Sequence, residues 1–181
     1  CNLYILQCSA YRKISIMKIK KLFTPLLRKQ IHNFEVGDFV EITGDLIVAR
    51  DQAHQRIKKI VEAKKKLPIN FKNTIIFYAG PTPAKPGEII GAIGPTTSKR
   101  MDCFTKLMIN LGVSGFIGKG NRSIETMSLI KNNALYFVTF GGYAALLSQF
   151  VVKYEIIAFP ELGPEALQYL SVKNFPVIVW A

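Results

Sequence analysis

The stretch GPTTSKRMD, residues 94–102, places two threonines, a serine, a lysine, an arginine and an aspartate within one short turn. Thr96 and Arg100 are four residues apart, so a helix beginning there carries hydroxyl and guanidinium on one side. A guanidinium grips a carboxylate bidentately. A hydroxyl in a positive field, near unpaired helix-end N–H groups, can take or give a proton, because that field stabilises its alkoxide. A plainer reading stands beside this one: Thr96 and Thr97 as helix caps and Arg100 as a surface cation.

Two further glycine-rich turns follow, GKGN at 118–121 and Gly141-Gly142. Each of the three turns closes an apolar strand-like run and opens a helical one. The carboxyl ends of parallel strands are where α/β sheets bind ligands, and a helix N-terminus there favours an anion. The three turns are therefore expected to converge on one crevice suited to a carboxylate or a phosphate. The segment GFIGKG departs from the phosphate-loop pattern in glycine spacing and in the residue after Lys119, and no G-x-G-x-x-G occurs, so mononucleotide binding has little support.

The elements that must position these groups can be read from periodicity. The runs at 39–42 and 46–48 flank Thr43-Gly44-Asp45 and predict a hairpin in a small β layer. In ARDQAHQRIKKIVEAKKK, Ala53, Ile57, Ile60 and Val61 form one helical stripe, with Arg50 and His54 on a common face. NTIIFYAG predicts a buried strand leading into a glycine- and proline-rich loop over 80–94. Phe104, Leu107, Met108 and Leu111 mark a helix starting within 95–100. SGFIG, LYFVTF, EIIAF and FPVIVW then predict strands, alternating with helices at 123–132, in GGYAALLSQF and in LGPEALQYL. The expected fold is α/β in three layers, a mixed or parallel sheet with helices plus a smaller β layer.

Composition limits the function classes. The chain has 181 residues, net charge +12, and apolar and charged shares of 49% and 20%, which suit one folded domain. Every apolar run is interrupted by Lys or Arg short of a membrane span. Arg12, Lys13, Lys18, Lys20, Lys21, Arg28 and Lys29 precede the first acid, Glu35, while Lys58, Lys59 and Lys64–Lys66 follow a helical pattern. This charge admits a basic, non-catalytic module binding RNA or an acidic partner, but no nucleic-acid motif accompanies it. Cys1, Cys8 and Cys103 are too scattered for a disulfide framework or a metal site, and they suit a reducing, cytoplasmic compartment. Residues 1–17 read as a leader or a non-native extension ahead of a start at Met17, acid-free and so compatible with a mitochondrial address. Residues 18–181 read as one domain, cut short at its C-terminus.

In order, GDFVEITGDLIVARDQAH, YAGPTPAKPGEIIGAIGPTTSKRMD, GFIGKGN, GGYAALL and ELGPEAL closely resemble the beta subunit, or C-terminal domain, of iron–sulfur-dependent class I fumarases and the related tartrate dehydratases. The resemblance implies a swivelling β/β/α domain and reversible hydration of fumarate to (S)-malate, with L(+)-tartrate dehydration as the alternative. It implies Thr96 as catalytic base, with Arg50, Arg100 and Lys119 binding substrate carboxylates. Asp51, His54, Thr97 and Asp102 are supporting residues, the two aspartates orienting the arginines and His54 hydrogen-bonded within the structure. It further implies a [4Fe–4S] cluster on an alpha subunit, an α2β2 heteromer, and inactivity of this chain alone. Tyr143 departs from the small residue expected after Gly142.

Overall fold

The computed structural model describes residues 19–181, so the leader expected over 1–17 lies outside the described residues. Seven strands form one sheet in the order β1-β2-β3-β4-β5-β7-β6. They are β1 (Lys20–Phe23), β2 (Phe39–Val48), β3 (Ile75–Phe77), β4 (Gly115–Gly118), β5 (Leu135–Val138), β6 (Val151–Ala158) and β7 (Leu167–Val179). An additional pairing of β2 with β7 closes β2, β3, β4, β5 and β7 into a five-stranded barrel. The strands β1 to β5 run parallel to their neighbours, whereas β7 runs antiparallel to β2, β5 and β6.

Alternation along each barrel strand divides the core in two, because successive side chains point to opposite faces. Ile42, Leu46, Val48, Ile75, Phe77, Ile117, Phe137, Leu170 and Phe175 share one cluster, the barrel interior. Ile47, Ile76, Tyr78, Phe116 and Tyr136, from the other face, pack with Ala53 and Ile57 of α1 (Asp51–Glu62) and with Phe104 and Met108 of α2 (Asp102–Asn110). Ile130 of α3 (Ile124–Lys131) joins the same outer layer. The Ser123 hydroxyl caps α3 by accepting from the Thr126 N–H at 3.2 Å. A short α4 (Ala144–Leu147) follows β5.

Two expectations fail here for identifiable reasons. The hairpin expected about Thr43-Gly44-Asp45 is instead one continuous strand, β2, with a bulge between Ile42 and Gly44 where it pairs with β7. Gly44 has φ +120°, and a Cβ there would run into Thr24 Oγ1, the atom that accepts the Asp45 N–H. The glycine thus permits a bend and a close approach, not a reversal of direction. The helix expected in LGPEALQYL is reduced to a 3₁₀ segment, Pro160–Glu165, kinked at Gly163, after which β7 begins. Leu170, Val172, Phe175, Val177 and Val179 are buried on the barrel interior, and that strand period overrides the helical propensity of EALQYL.

Among the described residues no helix is long and apolar enough to cross a membrane. The lysines at 58, 59 and 64–66 are all exposed, on α1 and the turn after it, as expected of a solvated face.

Candidate active site

The carboxyl ends of β2, β3, β4 and β5 lie side by side, and the segments leaving them carry the candidate residues. Beyond β3, Tyr78 N–H donates to Ile117 O at 2.8 Å, and its own carbonyl accepts the Thr96 N–H at 2.7 Å. The whole loop 80–94 therefore returns to the strand end it left. Thr97 forms a parallel bridge with Lys119. Around that bridge Lys119 N–H donates to Thr96 O at 3.3 Å and Ser98 N–H donates to Lys119 O at 3.0 Å. The third turn joins as well, since Ile93 N–H donates to Ala144 O at 3.0 Å. Gly141 faces Lys119: a Cβ there would lie 3.8 Å from Lys119 Cδ. Gly118 has a steric cause of its own, because a Cβ there would collide with Ser98 Oγ.

On this platform the side chains form a chain of contacts. Arg100 Nη2 donates to Thr96 Oγ1 at 2.7 Å and also reaches Asp51 Oδ2 at 3.2 Å. Asp51 Oδ2 faces Arg50 Nε at 3.7 Å, an ion-pair separation too long for a hydrogen bond. Both atoms are buried, and among the described residues neither makes a hydrogen bond, so Asp51 Oδ2 meets the two arginines by ion pairing alone. Arg50 Nη2 pairs with Glu165 Oε1 at 3.1 Å, and the other oxygen of Glu165 accepts the Gln52 N–H at 2.9 Å, near the start of α1. Arg100 is half-exposed and Lys119 exposed, so these two cations lie on an open surface, whereas Arg50 is mostly buried. Thr97 occupies the cap position of the 3₁₀ turn Ser98–Met101 with no side-chain cap bond; the backbone on either side of it, Thr96 C=O and Ser98 N–H, fastens the turn to Lys119.

The two aspartates separate. Asp51 lies between Arg50 and Arg100. Asp102 turns the other way: Oδ1 accepts from Arg122 Nε at 2.7 Å and Oδ2 accepts the Ser123 N–H at 2.8 Å. It orients an arginine, but Arg122 in place of Arg50 or Arg100, because as the first residue of α2 it faces the turn that opens α3.

His54 is fully buried beneath Arg50, with Nδ1 donating to the Arg50 carbonyl at 2.8 Å. Burial pushes its pKa down from 6.5 to about 4 and outweighs the opposing pull of the Arg50 carbonyl and Asp51. The imidazole is therefore neutral across the physiological range and serves the packing of α1, against Tyr78 and Phe104. A depressed native pKa gives a definite pH dependence. Above pH 6.5 neither state binds the proton; between 6.5 and about 4 the unfolded chain binds it and the native state does not, so stability falls as pH falls. The loss amounts to roughly 3 kcal/mol across that window at about 1.4 kcal/mol per pKa unit. Stabilities from urea unfolding at pH 7.5 and pH 5, which span roughly the upper 1.5 pH units of that window, are expected to differ by about 2 kcal/mol in the wild type through this group and not in His54→Asn, which keeps a donor but cannot titrate. An equal slope in both proteins would assign the effect to other groups.

Glu165 and Arg122 were not among the residues singled out from the sequence. Glu165 lies in the ELGPEAL block, yet no spacing links it to Arg50 across more than a hundred residues. Arg122 follows GKGN and reads as one more surface cation, whereas its side chain is completely buried.

A mixed α/β barrel with glycine-rich turns and a cationic, hydroxyl-bearing surface at its strand ends defines the class of the domain. The chain belongs to the Fumarase C-terminus family, whose model matches residues 7–181. It is similar to "Fumarate hydratase class I, anaerobic" of Escherichia coli, at 39% identity over 153 residues, 83% of this chain and 28% of that protein. It is also similar to the "Putative L(+)-tartrate dehydratase subunit beta" of Methanocaldococcus jannaschii, at 37% over 164 residues, 87% of this chain and 84% of that protein. The "L(+)-tartrate dehydratase subunit beta" of Escherichia coli matches at 35% over 166 residues, 88% of this chain and 81% of that protein. The chain thus spans little more than a quarter of the fumarate hydratase and most of each tartrate dehydratase subunit.

Proposed function

We propose that residues 18–181 act as a β-type domain of a hydro-lyase that interconverts fumarate and (S)-malate, with the active site completed by an alpha half. The observation that carries this reading is the 2.7 Å contact of Arg100 with Thr96 Oγ1, on a turn bonded to both Tyr78 and Lys119. A guanidinium donating to that oxygen stabilises its deprotonated form. Thr96 Oγ is then the base toward C3 of malate. The C3–H bond breaks, its electron pair becomes the double bond and the proton passes to the Thr96 alkoxide; the C2–O bond breaks with its pair as hydroxide, which takes a proton from solvent, and Thr96 then gives its own to solvent. Arg50, Arg100 and Lys119 supply the cations for two carboxylates. Asp51 and Glu165 hold the two arginines in place, and substrate carboxylates compete with them for the same N–H groups.

The open placement of Arg100 and Lys119 supports a site closed by another surface. Among the described residues no group of three or more His, Cys, Asp or Glu is placed to hold a metal ion, and Cys103 stands exposed and alone. In this reading the [4Fe–4S] cluster implied by the resemblance is held by the alpha half, where it would supply a Lewis acid for the substrate. An α2β2 heteromer in the cytoplasm and a swivelling β/β/α arrangement complete the reading.

Tartrate is the second candidate substrate, favoured by the extent to which the chain covers both tartrate dehydratase beta subunits. The test is anaerobic co-expression with the neighbouring alpha chain, cluster reconstitution, and assay of fumarate, malate and tartrate against the beta chain alone. Fumarate and malate turnover by the pair only is the expected result. Tartrate turnover in their place would assign the sister reaction, and turnover of none by an assembled, loaded pair would overturn the hydro-lyase reading.

A further inference from the structure

Arg122 is a cation placed where cations rarely sit. Its side chain is fully buried, and its guanidinium carbon lies 5.4 Å from the Tyr78 ring centroid, 5.8 Å from that of Phe116 and 5.4 Å from that of Tyr136. Each remaining face of the fork has a directed partner: Nε donates to Asp102, Nη2 to Thr105 Oγ1, and Nη1 to the Tyr78 hydroxyl at 3.4 Å. Burial alone opposes the charge, but Tyr78 and Asp102 outweigh it and keep the guanidinium ionised.

The partners of Arg122 adjoin the proposed catalytic set. Asp102 follows Arg100 by two residues. Tyr78 receives the Thr96 N–H on its carbonyl. The Tyr136 hydroxyl donates to Gly120 O at 2.8 Å, next to Lys119, and is 2.9 Å from Ser98 Oγ. One buried side chain therefore touches the supports of Thr96, Arg100 and Lys119, although it reaches none of the three itself. A well-packed apolar side chain commonly replaces a buried ion pair at no loss of stability. What an apolar side chain lacks is the fixed fork of N–H donors that sets angles between three separate segments.

We propose that Arg122 is a positioning residue, fixing the turn that carries Lys119 against the start of α2 so that Thr96, Arg100 and Lys119 keep their mutual geometry. The inference rests on the hydro-lyase reading for its catalytic consequence, and a second readout is independent of it. In the assembled alpha–beta complex, Arg122→Lys, which keeps the charge and loses the fork, is expected to lower kcat per folded complex at least tenfold while KM changes less than threefold. In the same variant, hydrogen exchange is expected to show at least tenfold weaker protection of the Ser98 and Lys119 amides, with the Ile57 amide inside α1 unchanged. Thr105→Val, which deletes one acceptor and keeps the side-chain shape, is expected to move both readouts in the same direction to a smaller extent; it decides the matter if Arg122→Lys does not fold. Retention of wild-type protection at Ser98 and Lys119, or of wild-type kcat per folded complex, overturns the proposal. If the wild-type complex turns over none of the substrates, the hydro-lyase reading fails by that result, and amide protection alone then upholds or overturns the positioning role.

Discussion

Thr96→Ala is expected to lower turnover of the alpha–beta complex by about 10²- to 10⁴-fold, the range lost with a general acid–base group, while leaving folding and assembly intact. The separation of the two effects follows from how Thr96 is held. Its N–H donates to Tyr78 O and its carbonyl accepts from Lys119, so the turn is fixed by backbone atoms that alanine retains. The residue is only partly buried, and among the described residues the hydroxyl's one hydrogen bond is that from Arg100, which keeps Asp51 when the hydroxyl is removed. A surface-type substitution of this kind changes stability by about 0.5 kcal/mol or less. Thr96→Ser restores the oxygen within reach of Arg100 and is expected to recover much of the rate. The measurement is kcat of the reconstituted complex beside its thermal midpoint. Turnover of Thr96→Ala within threefold of wild type would place the base elsewhere, and a parallel fall in midpoint and rate would make Thr96 a structural residue.

The site was legible in the sequence to the extent that local rules determine it. Glycine-rich turns at the ends of apolar runs sufficed to bring GPTTS, GKGN and Gly141-Gly142 together, because parallel strands place consecutive turns at one end of a sheet. Thr96 and Arg100 do meet, but not as one turn of helix: the helical segment begins at Ser98 behind the extended cap residue Thr97, so Thr96 lies ahead of it and the Arg100 side chain reaches back to its hydroxyl. What was not legible depends on partners distant in the chain. Barrel closure needs β7 beside β2, and β7 starts in a segment whose composition suits a helix. The bend at Gly44 reads as a reversal until Thr24 is seen against it. Arg122 escaped because charged residues are almost never fully buried unless paired, and its pair with Asp102 spans twenty residues and two elements. The partner of Asp102 is illegible for the same reason: the aspartates are expected to orient the arginines of the candidate set, and nothing in the sequence shows that Arg122 lies within reach.

Asp102→Ala is accordingly expected to be the most damaging single change to stability among the candidate site residues, costing about 3–5 kcal/mol, the range for breaking a buried ion pair by removing one partner. Two groups lose their acceptor at once. Arg122 keeps Thr105 and Tyr78 but has no carboxylate to balance its charge, and the guanidinium cannot escape by losing its proton. The Ser123 N–H, at the entry to α3, is orphaned as well. The aromatic rings around Arg122 offset part of the charge, since each attracts a cation at this distance, but they cannot accept the Nε hydrogen in the plane of the fork. For a domain of this size, each kcal/mol lowers the melting temperature by about 2–4 °C, so a drop of roughly 6–20 °C is expected. Asp102→Asn retains an oxygen for one of the two donors and is expected to fall between the variant and the wild type. A double variant, Asp102→Ala with Arg122→Met, removes charge and partner together and is expected to regain most of the loss, because a matched apolar pair carries no uncompensated cation. Calorimetric melting of the three proteins checks the ordering. A double variant no more stable than Asp102→Ala would show that Asp102 acts through the α3 cap at Ser123 and not through the buried charge.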